Sequence, residues 1–188
     1  MAIRNTTDSF GWLSRSLHWA MALAVLAMLV LGTVIAGMEV GLANLWLFGL
    51  HKTIGITLLA LVLVRLIWHR ISPPPAPIAS GPIGGVPDWQ QRLALWTHRL
   101  FYALLLAIPL SGWIASSATG LDVVFADRWV LPALAPVSEA WEKTGFAAHG
   151  ILTKGLIGLI VLHVAGALKR AHAGDGTLRR MLRGTRAG

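Results

Sequence analysis

Four apolar segments, each about as long as a bilayer is thick, constrain this chain more than any other feature. They run from about Leu17 to Met38, Leu50 to Trp68, Leu95 to Ala118 and Ala147 to Leu168. Crossing ~30 Å of hydrocarbon takes about 20 helical residues. Lipid offers no partner for a backbone N–H or C=O, so each segment is expected to be a helix. Of the 188 residues, 55% are hydrophobic and only 13% charged, more apolar matter than a soluble domain of this length hides. The fold class expected is an all-α membrane protein, one domain over residues 1–188 forming a four-transmembrane-helix bundle. The first segment is expected to be retained rather than cleaved as a signal peptide, because its apolar stretch is long and carries His18 and Trp19 near its start.

The parts between the spans follow from composition. Ser72, Pro73, Pro74, Pro75 and Pro77 stop the second helix and open a connector over 69–94, whose end, Asp88 to Thr97, reads as an amphipathic lead-in to the third. A short loop through Asn44 and Trp46 joins the first two helices. A longer cap over 119–146 is expected to include a short interfacial helix, and a basic tail occupies 169–188.

The formal charge of +8 does not point to nucleic acid, because the charges sort by membrane side. One side takes Arg4, Arg15, Arg65, Arg70, Arg92, Arg99, Lys169, Arg170, Arg179, Arg180, Arg183 and Arg186 with Asp8, Asp88 and Asp175. The other takes Lys52, Arg128, Lys143, Lys154, Glu39, Asp122, Asp127, Glu139 and Glu142. Twelve basic residues against three acidic ones make the first side cytoplasmic, with both termini there. Membrane lipid is the expected partner, anionic lipid attracting the basic tail. Nothing in the sequence selects between a monomer and a homo-oligomer.

Histidines inside membrane spans are costly and usually face the protein interior. His149 and His163 stand 14 residues apart in one span. On a helix that step returns within ~40° of the same face, ~21 Å further along. The same interval leads from His18 to Gly32, from His51 to Arg65 and from His98 to Gly112. Two layers result: Gly32, His51, Gly112 and His149 towards the outside, and His18, Arg65, His98 and His163 towards the inside.

Imidazoles at two depths suit two stacked haems, each gripped by two axial histidines. The absence of cysteine removes thiolate metal sites, iron–sulfur clusters and covalent haem attachment. His51 and His149 form the only pair in the outer layer. In the inner layer His18 pairs with His163, and His98 is the runner-up ligand, otherwise free to meet a propionate or line a quinone pocket. Arg65 could hold a propionate. Gly32 and Gly112 would give a flat macrocycle clearance, with Gly55 and Gly166 offering similar room. A haem-free metal transporter is the chemical rival, but such sites gather ligands at one place, commonly with carboxylates, and the spans hold no acidic residue apart from Glu39 at a helix end.

At this point the chain resembles the bacterial cytochrome b561 family. The resemblance rests on Leu17-His18-Trp19, His51-Lys52-Thr53-Ile54-Gly55, and Arg65 to Arg70 followed by Ile71-Ser72-Pro73-Pro74-Pro75. It continues with His98, Tyr102, Pro109 to Gly112, Leu162-His163, and Gly176-Thr177-Leu178-Arg179-Arg180-Met181. The resemblance implies two non-covalent b haems in a bundle of the bacterial inner membrane, exchanging electrons with ubiquinone or another quinone. It implies ligation by His18 with His163 on the cytoplasmic side and by His51 with His149 on the periplasmic side. Some members are similar to superoxide oxidases, which oxidise superoxide and reduce ubiquinone. Others serve as electron-relay subunits for a periplasmic redox protein or a hydrogenase. One departure stands out: where members often carry two adjacent histidines after the lysine ending helix 4, this chain has Arg170 and Ala171 after Lys169, then His172.

Overall fold

The computed structural model describes residues 2–184 except 79, 82, 83 and 86. Arg186 of the expected basic tail lies outside the described residues. The elements, in chain order, are α1 (Trp12–Ala36), α2 (Leu45–Ile71), β1 (Ser80–Gly81), β2 (Gly84–Gly85), α3 (Asp88–Ala118), β3 (Val123–Phe125), β4 (Trp129–Leu131), α4 (Glu139–His172) and α5 (Thr177–Arg183). Among the described residues the protein is all-helical apart from two small antiparallel ladders, β1 with β2 and β3 with β4. Among the described residues four helices, α1 to α4, are long and apolar enough to cross a membrane.

The helices outrun the apolar spans. At 1.5 Å per residue, the 34 residues of α4 extend ~51 Å and the 31 of α3 ~46 Å, well beyond the hydrocarbon thickness. The segment Asp88 to Thr97, expected as a separate lead-in, is continuous with α3. Pro87 starts that helix, its carbonyl accepting from Gln90 N–H at 2.9 Å, and Asp88 sits where an acidic group meets the positive helix end. Trp46, expected in a loop, lies in the first turn of α2. At the other end of α2 the Ser72 amide still bonds the Trp68 carbonyl at 2.7 Å, and the prolines that follow end the helix.

The chain divides into two compact units, and each long helix gives a segment to both. The first unit comprises Met1–Ala20, Leu63–Tyr102 and Leu156–Gly188; the second comprises Met21–Val62 and Ala103–Gly155.

The first unit buries polar groups with their partners. Trp68 Nε1 donates to Ser14 Oγ at 2.8 Å, and Asn5 ties the N-terminal segment to the end of α2 by donating its backbone N–H to Ser72 Oγ and its amide to the Ser72 carbonyl, both at 2.8 Å. The short α5 begins and ends at glycines in the left-handed region, Gly176 at φ 81° and Gly184 at φ 83°, a conformation that costs a residue with a Cβ about 1–2 kcal/mol. The tail was expected to offer its charge to lipid, but two of its arginines are turned into the protein. Arg170 pairs with Asp175 and donates to the Ile78 carbonyl, and Arg180, 6% exposed, donates to the Ala76 carbonyl. Carbonyls in a proline-rich segment lack helical donors, and a guanidinium with five N–H groups supplies them.

The second unit has an apolar core of Met21, Val25, Leu58, Val62, Ala115, Ala118 and Val123. A close contact joins α3 to α4: a Cβ on Gly145 would lie 2.8 Å from the Ala115 Cβ. Small residues let two membrane helices approach in this way. The cap does not contain the expected interfacial helix. It carries the β3–β4 hairpin, with Val123 opposite Leu131 and Phe125 opposite Trp129, while Trp141 belongs to the first turns of α4. The β-branched and aromatic runs favour strands. Ala126 and Asp127 at φ 53° and 51°, with Arg128 N–H bonded to the Phe125 carbonyl, make a turn whose twist matches a hairpin. Thr53 Oγ1 on α2 accepts from the Ala126 N–H at 3.0 Å and anchors the turn.

Outward positions stay apolar. Leu23 is 67% exposed and Ile151 69%, the pattern of helices whose surroundings are lipid rather than water.

Candidate cofactor sites

The eight residues assigned to two layers divide between the two units in the same grouping. His51, His149, Gly32 and Gly112 fall in the second unit, and His18, His163, His98 and Arg65 in the first.

In the second unit the rings of His51 on α2 and His149 on α4 have centres 6.1 Å apart. His149 Nδ1 lies 2.9 Å from the Ile108 carbonyl oxygen on α3. A carbonyl only accepts, so Nδ1 carries the proton and Nε2 presents its lone pair. Ser111 Oγ donates to the same carbonyl at 2.8 Å. A Cβ on Gly112 would stand 3.0 Å from His149 Nδ1, and one on Gly32 would stand 3.3 Å from His51 Cε1. Each glycine therefore leaves the place its neighbouring imidazole occupies. His51 Nδ1 is buried and has no hydrogen-bond partner among the described residues, so packing rather than bonding orients that ring. A Cβ on Gly55 would meet Met28 Cε at 3.8 Å, and one on Gly166 would meet nothing within 4 Å.

In the first unit His18 on α1 and His163 on α4 have ring centres 6.3 Å apart. His163 is also flanked edge-on by His98 at 5.4 Å and Phe101 at 5.3 Å. His98 Nδ1 donates to the Ala94 carbonyl one turn back, at 2.7 Å. Arg65 Nη2 reaches 3.5 Å from His18 Nδ1, while its Nε donates to the Tyr102 hydroxyl at 3.1 Å. That hydroxyl stands 3.1 Å from His69 Nδ1. Sequence reasoning passed over the Tyr102 and His69 contacts, although Tyr102 is the single tyrosine of the chain and lies within a membrane span. It also passed over the Ile108 carbonyl, a backbone group that no side-chain pattern reports.

The donor set fits haem. Two imidazoles facing each other across one metal at the usual ~2.0–2.1 Å metal–nitrogen distance have ring centres ~6–6.5 Å apart. Both pairs, 6.1 and 6.3 Å, fall in that range, and the 5.4 Å of His98 to His163 is too short for it. Among the described residues no group of three or more His, Cys, Asp or Glu side chains is placed to hold a bare metal ion. A porphyrin supplies the other ligands itself, so two histidines suffice.

These features are those of an all-helical, multi-pass membrane protein with paired histidines in its spans. The sequence model of the family described as Prokaryotic cytochrome b561 matches residues 9–184. Cytochrome b561 homolog 2 of Escherichia coli (strain K12) is 32% identical over 186 residues, covering 97% of this chain and 95% of that protein. The chain belongs to the prokaryotic cytochrome b561 family. Membership carries with it haem b and electron transfer across a membrane.

Proposed function

We propose that this protein moves electrons across the bacterial inner membrane through two b haems, one held by His18 and His163 and the other by His51 and His149. The observation that carries this reading is the spacing of the two pairs, 6.3 and 6.1 Å between ring centres, each within its own compact unit. Bound haem supplies one-electron redox chemistry, and the protein sets its position and surroundings. His149 is steadied by the Ile108 carbonyl, a bond of the kind that fixes tautomer and raises ligand basicity. Gly32 and Gly112 admit the two rings of that site. His98 packs on His163 without ligating, and Arg65 places a cation beside His18.

Among the described residues, the first unit contains eleven of the twelve basic residues set against three acidic ones, all but Arg186. By the positive-inside rule these charges belong on the cytoplasmic side. Electrons then pass between a redox partner on the periplasmic side and the quinone pool. The second unit gives little support to steering of superoxide. Lys143 is paired with Glu139 and Arg128 stacks over the Trp129 ring at 5.2 Å, which leaves Lys154 and Lys52, the latter next to His51 in the chain. A relay for a periplasmic redox protein therefore fits this surface better than an enzyme with superoxide as substrate.

An absorption spectrum of the purified protein with haem quantification tests the reading. A sharp low-spin b-type signal that intensifies on dithionite, with two haems per chain, is expected; a colourless, folded preparation overturns it. Stopped-flow mixing of the oxidised protein with superoxide decides the donor: rapid haem reduction would replace the relay by the oxidase.

A further inference from the structure

Arg65 brings a cation to 3.5 Å from His18, a proposed axial ligand, and it does not reach that place alone. Guanidinium groups have no acceptor, so the Tyr102 hydroxyl must accept from Arg65 Nε. Its own proton is then free for His69 Nδ1, 3.1 Å away and one turn beyond Arg65 on α2. His69 is thereby held with its proton on Nε2. The line His69, Tyr102, Arg65 ends 3.5 Å from His18 Nδ1, at the far edge of hydrogen-bond range, where the guanidinium acts on the ring by charge rather than by a bond. An untethered arginine in a membrane helix would extend towards the polar boundary. Tyr102, on the neighbouring helix, opposes that movement.

We infer that Tyr102 and His69 are positioning residues that hold the Arg65 cation against His18 and so set the reduction potential of the haem ligated there. The inference rests on the two-haem reading above. Reduction removes one positive charge from the iron, so a fixed cation nearby disfavours the oxidised form and raises the potential. The effect is large only where water does not screen it. Tyr102→Phe keeps the ring and removes the hydroxyl, so Arg65 and His69 lose their common partner while the packing persists.

The test is an equilibrium redox titration of the full-length, haem-containing protein, followed in the b-type absorption band. Arg65→Gln is expected to lower the potential of one of the two haems by at least tenfold in its electron-uptake constant, about 59 mV for one electron. Arg65→Lys should restore most of that shift. Tyr102→Phe should move the same haem in the same direction by threefold or more, and His69→Ala should move it less. The second haem should stay where it was in every variant. Tyr102→Phe protein that binds both haems with both potentials unchanged overturns the inference and leaves the two-haem reading standing. Should Arg65→Gln fail to fold, the near-isosteric Tyr102→Phe decides by itself. A preparation of the parent protein without haem, or haem content unaltered by His18→Ala, overturns the reading beneath it.

Discussion

His149 Nδ1 donates to the Ile108 carbonyl across 2.9 Å, a side chain of α4 bonded to the backbone of α3. The bond is open to the ring because Gly112, one turn on from Ile108, has no Cβ where the imidazole lies. Pro109 lacks an amide, so the α3 backbone around the contact is one helical bond short.

Gly112→Ala should therefore push on the ring of His149, with a Cβ 3.0 Å from Nδ1 and 3.1 Å from Cε1. Overpacking of this kind costs about 1–3 kcal/mol. One haem of two should be lost or bound weakly, read as haem per chain in the purified protein. Gly32→Ala, at 3.3 Å from His51 Cε1, should do the same to a smaller degree, and unchanged haem content in both would remove the role given to these glycines.

Replacing the histidines one at a time separates ligands from neighbours. His149→Ala should cost one haem and His163→Ala the other, while His98→Ala should keep both, because its ring stands 5.4 Å from that of His163, too close for a metal between them. Loss of a haem in His98→Ala with both retained in His18→Ala would reverse the proposed pairing.

Asp175 closes the loop before α5. Burial pushes its carboxyl pKa up, but this is outweighed by the Thr177 N–H, the Arg170 guanidinium and the Thr177 hydroxyl, and the net direction is below the usual carboxylate value. A carboxyl lowered in the folded state stabilises it above the unfolded pKa of ~3.9 and loses that contribution as pH falls through the folded value. The α5 attachment should thus hold through mildly acidic pH and release only below the ordinary carboxylate range. Asp175→Asn should weaken it at neutral pH by about 1–3 kcal/mol, seen as faster amide exchange in 177–183 with haem content intact.

Gly145→Val should separate α3 from α4, since even one added carbon would sit 2.8 Å from the Ala115 Cβ and 3.0 Å from its Cα. A lower thermal midpoint in detergent is expected, with a loss of about 1–3 kcal/mol. Gly150→Ala, where a Cβ meets nothing within 4 Å, serves as the control and should leave the midpoint in place.

Four spans could be read directly, because a run of apolar residues needs no partner to be recognised: the bilayer acts on each segment by itself. The grouping of His51 with His149 and of His18 with His163 could be stated from residue number, since helical rise converts number into position along each helix, and the two pairs fall in separate compact units. Rotation and reach could not be read in this way. Which imidazole faces which depends on how the helices pack, and only the structure brings His18 to 6.3 Å from His163 while setting His98 edge-on against the same ring. The Ile108 carbonyl, the Tyr102 hydroxyl and the inward turn of Arg170 and Arg180 are contacts between parts of the chain far apart in number, so no local pattern encodes them. The cap was misjudged for a related reason. Val123–Phe125 and Trp129–Leu131 are apolar runs too short for periodicity to assign, and the bond from Ala126 to Thr53 helps to hold them as a hairpin. Local solvent preference thus wrote the helices into the sequence, while the pairing of side chains came from packing that only the folded chain contains.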